Sequence, residues 1–254
     1  MSSQTFAALT EELDRWAEAG RCATLWWRDD DATEPTPAIR RLIDLARKRA
    51  VPLGLAVVPA TAVPQLAALA GSAAEVTVLQ HGFGHIDHAP PGQKSWELGP
   101  HRPRDQVLRD LAMGRDRLAE LFPHRRAPVL VPPWNRIDPG LAPDLPALGF
   151  TCLSTFGPRP EAEAAPGLAQ VNSHVDIIRW KAERAFIGAA KTAERLGQHL
   201  RERRLGTVDA VEPTGLLTHA WALPEAAWTA LDELLRLTIE HPAARWVAVG
   251  DFPR

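Results

Sequence analysis

Along the chain, short apolar runs alternate with stretches whose apolar residues recur at helical spacing. A first amphipathic segment starts at Thr10, a residue suited to cap a helix. It places Glu11 and Glu12 in the first turn, Leu13 and Trp16 on one face, and ends at Gly20. Residues 22–28 form an apolar run that predicts the first core strand. Residues 37–50 carry Ile39, Leu42, Ile43, Leu45 and Ala46 on one face, which predicts a helix with a single buried stripe. Residues 52–58 are almost wholly apolar, as in a parallel strand covered on both faces. A helix over 63–70 and a third strand over 76–80 follow. Residues 82–103 are different: rich in Gly, Pro and His and without a period, they predict a long loop of the kind that carries function. Beyond it the pattern gives a helix over 104–122, a strand over 128–131, a short helix near 141–148 and a strand over 150–154. A Gly- and Pro-containing loop spans 156–169. The chain closes with a strand over 171–178, a helix over 188–204, a strand over 214–218, a helix opened by Pro224 and a last strand over 246–249.

Regular alternation of strand and helix predicts an α/β fold, either a (β/α) barrel or an open doubly wound sheet. No Gly-x-Gly-x-x-Gly follows a strand, which argues against a dinucleotide-binding sheet. No internal repeat or low-complexity linker divides the chain, so residues 1–254 are expected to form a single domain. With 45% hydrophobic and 24% charged residues the composition is that of an ordinary globular protein. A net charge of −2 gives no electrostatic case for nucleic acid or an anionic membrane as partner. Residues 1–6 lack the basic and apolar regions of a secretory signal, and no apolar run is long enough to span a bilayer; a cytoplasmic location is expected. Cys22 and Cys152 each lie in an apolar stretch and are expected to be buried free thiols. Nine Trp and no Tyr is an unusual balance, and several indoles adjoin polar clusters, where they could wall a pocket.

Three polar clusters follow apolar runs. Trp26-Trp27-Arg28 leads into Asp29-Asp30-Asp31; residues 76–79 lead into Gln80-His81-Gly82-Phe83-Gly84-His85; and Leu216-Leu217-Thr218 ends in His219. Three adjacent carboxylates repel one another and serve no folding purpose. In a barrel the C-terminal ends of the strands converge on one mouth, which would gather the Asp run, His81, His85, Trp134, Asp176 and His219. A carboxylate and two imidazoles there suit a divalent metal with open positions for water and substrate.

With these clusters in this order, the sequence resembles the polysaccharide deacetylase family (carbohydrate esterase family 4, the NodB homology domain) from about residue 23 to 219. Trp27-Arg28-Asp29-Asp30-Asp31 stands where the family has Thr-Phe-Asp-Asp-Gly, making Asp29 the general base and Asp30 the metal ligand; the run also admits the register Asp30 and Asp31. His81-Gly82-Phe83-Gly84-His85 matches His-(Ser/Thr)-x-x-His, giving two metal-binding imidazoles but no hydroxyl after the first. Val131-Pro132-Pro133-Trp134-Asn135 stands for Arg-Pro-Pro-aromatic-Gly, whose aromatic residue offers a backbone N–H to an oxyanion. His174-Val175-Asp176-Ile177-Ile178-Arg179-Trp180 resembles the fourth motif, with Trp180 as a groove wall and Asp176 beside the substrate; Leu217-Thr218-His219 matches the fifth, with His219 as general acid.

Two departures matter. The family's base-orienting Arg is Val131 here, and the Asp that pairs with that Arg is Arg179. Arg179 is expected to supply the guanidinium directly, with Arg28 and Arg136 as alternatives. The resemblance thus implies a distorted (β/α) barrel of about seven strands. It would be a metal-dependent N-deacetylase acting on an acetylated amino sugar or glycoconjugate, with zinc as the metal and cobalt or nickel as alternatives. The rival reading is a catalytically silent barrel that binds a glycan or a partner protein.

Overall fold

A computed structural model describes residues 3–252. The strands are β1 (Ala23–Ala32), β2 (Leu53–Val57), β3 (Val76–His81), β4 (Arg126–Val131), β5 (Cys152–Leu153), β6 (Glu163–Ala165), β7 (Leu168–Gln170), β8 (Val175–Asp176), β9 (Ile178–Arg179), β10 (Ala185–Phe186), β11 (Thr214–Thr218) and β12 (Ala244–Trp246). The α-helices are α1 (Ala7–Glu18), α2 (Pro37–Arg49), α3 (Pro64–Gly71), α4 (Arg104–Leu121), α5 (Ala189–Leu205) and α6 (Glu225–Glu240). In the main sheet the order is β6-β7-β5-β4-β3-β2-β1-β11-β8, with β12 also paired to β1. All its pairings are parallel except β6 with β7. The sheet curls so that β7 and β8 belong to one stretch of chain. Val171 N–H donates to Leu153 and Ser173 N–H to Thr155 on one side, while His174 N–H donates to Gly215 on the other. This is the distorted (β/α) barrel that the resemblance implies, with more strands than expected.

Local chemistry explains the elements. Pro37 opens α2 where a missing N–H costs nothing, Thr36 Oγ1 accepts from Ile39 N–H at 3.2 Å, and Ala50 ends the helix in the left-handed region. Helices α1 and α5 approach closely at Gly197, where an added Cβ would lie 2.9 Å from the Ala8 carbonyl oxygen. There Trp16 Nε1–H donates to the Leu200 carbonyl. Side chains facing the helix layer, among them Trp27, Leu42, Leu55, Leu216 and Leu231, form one core. Trp26, Ala56, Leu79, Val129, Val131 and Val171 form another inside the barrel, where Phe252 meets Trp26 edge-on at 5.0 Å.

Some expectations change. The run over 156–169, expected as loop, holds the β6–β7 hairpin; the helix near 141–148 is two short 3₁₀ turns, each begun by a proline. Residues 171–178 are broken into β8 and β9, and the last strand starts earlier, as β12. Cys152 is buried, and burial pushes its thiol up to about 12. Cys22 is exposed, because it lies in the turn between α1 and β1 rather than in the strand. Among the described residues no helix is long and apolar enough to cross a membrane.

Candidate metal centre

Strand β1 runs through the Asp triplet instead of stopping before it. Successive side chains on a strand point to opposite faces. Trp26 belongs to the barrel interior and Trp27 to the helix-facing core, so Arg28 and Asp30 share the interior face, and Asp29 shares the face of Trp27. Asp29 and Trp27 accordingly meet the same hydroxyl: Trp27 Nε1–H donates to Thr218 Oγ1 at 2.9 Å, and that hydroxyl donates to Asp29 Oδ2 at 2.6 Å. Asp29 has no exposed surface, and burial, reinforced by the charges of Asp30 and Asp31, raises its pKa against the Thr218 hydrogen bond.

Alternation would also send Asp31 outward. It does not, because Asp31 has φ 74°, in the left-handed region, and the ladder to β2 slips between Asp29 and Ala32. The kink swings its carboxylate over the mouth. Asp31 Oδ1 lies 3.1 Å from His81 Nε2 and 3.2 Å from His85 Nε2. These three residues form a cluster whose donor atoms all lie within 4.8 Å of one another, His81 buried and the other two half-buried.

The donor set fits a cation. His81 Nδ1 sits 3.0 Å from the Val131 carbonyl oxygen, which fixes the Nδ1–H tautomer and turns the Nε2 lone pair toward Asp31. An imidazole lone pair facing a carboxylate is stable only with positive charge between them, supplied by a proton or a metal. Ligand distances of about 2.0–2.2 Å around a tetrahedral ion put neighbouring ligand atoms roughly 3.3 Å apart, close to the spacings found. Burial works to raise the pKa of Asp31, but the His81 and His85 hydrogen bonds outweigh it and hold the carboxyl far below its usual range. Burial works to lower His81, and the charges of Asp30 and Asp31 with the Asp31 hydrogen bond carry it upward instead.

The loop that presents His85 is built around Glu97. This buried carboxylate accepts from Gly84 N–H at 2.7 Å, His85 N–H at 3.1 Å and Phe83 N–H at 3.3 Å. Three consecutive amides gathered on one anion form a nest, which sets the turn between the two histidines. Gly82 has φ 55°, and an added Cβ would sit 2.0 Å from Glu97 Oε2 and 2.6 Å from the Pro133 ring. Glu97 fills the place where a hydroxyl side chain is absent.

Beside the cluster lies a buried ion pair. Arg28 Nε and Asp30 Oδ1 are 2.9 Å apart, too poorly aligned for a hydrogen bond, and Nη2 donates to Oδ2 at 3.1 Å. Arg28 is wholly buried. It also donates to Asn135 Oδ1 at 2.5 Å, Ser154 Oγ at 2.8 Å, and the carbonyls of Ser154 and Thr155.

The structure therefore gathers Asp31, His81 and His85, and places Asp30, expected as the metal ligand, in the Arg28 pair. Asp29, expected as base, faces Thr218 on the opposite side of the strand. Arg179 is exposed on the β9–β10 hairpin, its Nε–H donating to the Glu183 carbonyl, and does not meet the Asp run. Trp134, with φ 55°, packs on His85 with ring centroids 4.4 Å apart. His219 Nδ1 is buried and faces Asp176 Oδ1 across 3.9 Å, beyond hydrogen-bond length. Asp176 Oδ2 accepts from Trp180 Nε1–H at 2.6 Å, and burial raises the pKa of this carboxyl. Trp180 meets His219 edge-on at 4.6 Å. Two residues of the site, Glu97 and Trp221, escaped the sequence reading; the indole N–H of Trp221 donates to Asp31 Oδ2 at 3.0 Å. The period-two spacing of Arg28 and Asp30 was a signal that favoured Arg28 over Arg179.

No protein-family model matches the chain, and no curated protein does. Solved structures do. A protein from Mycobacterium smegmatis assigned as a polysaccharide deacetylase aligns over 89% of this chain and 86% of its own, with TM-score 0.63 and 18% identity. A CE4 esterase from Streptococcus mutans aligns over 94% and 90%, with TM-score 0.61 and 11% identity. A mutant of a CE4-family pseudoenzyme aligns over 91% and 67%, with TM-score 0.53 and 10% identity. The chain shares its fold with these proteins. Since enzymes and a pseudoenzyme share it, activity has to be argued from the residues.

Proposed function

We propose that this chain is a metal-dependent hydrolase of carbon–nitrogen bonds that removes the acetyl group from an N-acetylated amino sugar or glycoconjugate. The observation that carries this reading is the convergence of Asp31, His81 and His85 beside a buried Arg28–Asp30 pair at the barrel mouth. Asp31, His81 and His85 would hold a divalent ion, zinc in the first instance, which when bound supplies a Lewis acid for the amide carbonyl and an acidified water.

The chain's own residues do the rest. Asp30 takes the proton of the attacking water, and Arg28, fixed by Asn135 and Ser154, keeps that carboxylate aimed. Relative to the sequence expectation, base and ligand both move one residue along, into the second register the triplet admits. The Trp134 backbone N–H, set by a left-handed residue against His85, serves the developing oxyanion; one such donor is worth about 10²–10³ in rate. His219 delivers a proton to the departing amine, with Asp176 beside its Nδ1. Trp180, half-exposed against His219, offers a flat wall for a sugar ring.

Two linked measurements test this. Elemental analysis and titration should find one divalent ion per chain, lost in His85→Ala. Acetate release should then appear with some N-acetyl amino sugar and vanish in Asp30→Asn while the ion stays bound. A wild-type chain that holds no ion after exposure to zinc, cobalt, nickel and manganese overturns the hydrolase and leaves a silent glycan- or protein-binding barrel.

A further inference from the structure

The two oxygens of Asp31 have different partners. Oδ1 faces both imidazoles, at 3.1 and 3.2 Å, while Oδ2 accepts the indole N–H of Trp221 at 3.0 Å. Trp221 lies in the 3₁₀ turn Ala220–Ala222 that directly follows His219, so one short turn both ends in contact with Asp31 and begins at the end of β11. Its ring is held from two directions. The Arg184 guanidinium lies 4.7 Å from the ring centroid, and Trp180 lies 5.7 Å away at 44°. Trp180 in turn donates its own indole N–H to Asp176. The mouth thus contains two neighbouring indoles, each spending its single donor on a different carboxylate.

We propose that Trp221 is a positioning residue of the metal site: by engaging Oδ2 it leaves Oδ1 alone for the ion, making Asp31 a one-oxygen ligand. This rests on the reading of Asp31, His81 and His85 as ligands. A carboxylate at the mouth of a barrel has two coordination modes, through one oxygen or both, and an indole N–H on one oxygen removes the second mode. Burial in the core does not account for this contact, since the ring is about half exposed, at 49%.

Trp221→Phe keeps an aromatic ring and removes the donor, and the side chain is exposed enough that the core is not at stake. Zinc affinity would be measured by competition with a chromophoric chelator for wild type and Trp221→Phe, and the visible spectrum recorded with Co²⁺ in place of zinc. Hydrogen bonds to metal ligands contribute about 10–100-fold in affinity, and exposure puts this one at the lower end. The expected result is a loss of roughly tenfold in Trp221→Phe and a changed Co²⁺ spectrum. Equal affinity and an unchanged spectrum in Trp221→Phe would overturn the proposal while leaving the metal site intact. Wild type that binds neither ion would overturn the site itself, and this proposal with it.

Discussion

Removing the guanidinium buried at the barrel mouth is the perturbation with the largest expected effect on the fold. In Arg28→Met the side-chain volume is kept, but Asp30, 2% exposed, loses its counter-charge, and Asn135 Oδ1 and Ser154 Oγ lose their shared donor. Breaking a buried ion pair from one side costs about 3–5 kcal/mol, because the remaining charge stays desolvated. For a chain of this size with a urea slope near 3 kcal/mol per molar, the unfolding midpoint should fall by roughly 1–2 M. Replacing both partners by apolar residues, Arg28→Met with Asp30→Leu, should recover most of that loss, since a buried pair replaced as a whole is about neutral. The cycle of wild type, two singles and the double, each followed by circular dichroism in urea, isolates the coupling. If Arg28→Met unfolds within about 1 kcal/mol of wild type, the contact between Arg28 and Asp30 is not a strongly coupled buried pair, and the base assignment loses its physical support.

Two further outcomes are expected. His199 is buried against Thr214 Oγ1 and stacked on His174 at 3.7 Å, and burial with the charges of His174 and Arg203 lowers it to about 2. The unfolded chain then takes up a proton below about pH 6.5 that the folded chain refuses, so stability is complete above that pH. It falls on acidification by about 1.4 kcal/mol per unit, roughly 2 kcal/mol by pH 5. His199→Gln should flatten the pH dependence of the urea midpoint, and parallel profiles for the two proteins would refute the assignment. At Gly82 a methyl group would both strain a left-handed residue and strike Glu97 and Pro133, so Gly82→Ala should cost about 2–4 kcal/mol. It should also weaken zinc binding, because the nest that presents His85 is displaced; a fully stable, zinc-tight variant would show that the loop is not built around Glu97.

The barrel was legible because its signals are local and repeated. Apolar runs such as 52–58 and one-faced helices such as 37–50 specify their own periods, and the structure returns them within a residue or two. Short elements were not legible for the same reason. Two- or three-residue strands such as β8 and the β6–β7 hairpin have no room for a period and are defined by what they pair with. The histidines could be read because residue type and spacing carry the chemistry. The carboxylates could not be apportioned, since three identical residues offer three registers, and the choice is made by the left-handed backbone at Asp31 and by strand alternation below it. Glu97 lay in a loop that spacing could not fold onto Gly82, and Trp221 reaches Asp31 across 190 residues of sequence.

The two departures from the family pattern have one physical account. Val131 lies in the apolar barrel interior, and its carbonyl still fixes the His81 tautomer. What has changed is the origin of the guanidinium: it rises from β1, two residues below the carboxylate it serves, with Ser154 and Asn135 holding it from neighbouring strand ends. Arg179 is free of that duty and lies exposed. A fold that had merely kept its shape would have no use for this arrangement. A buried Arg–Asp pair is at best about neutral against apolar residues of the same volume. A carboxylate that points one oxygen at two imidazoles works against folding unless positive charge joins them. Asp30 and Asp31 together thus place two costly anions at the C-terminal end of the central strand, each with a dedicated donor on its far side, Arg28 for one and Trp221 for the other. That is what a site needs when one carboxylate must be held in place to accept a proton and the next must offer a single oxygen to a cation. It is the physical ground for preferring the hydrolase to the silent barrel.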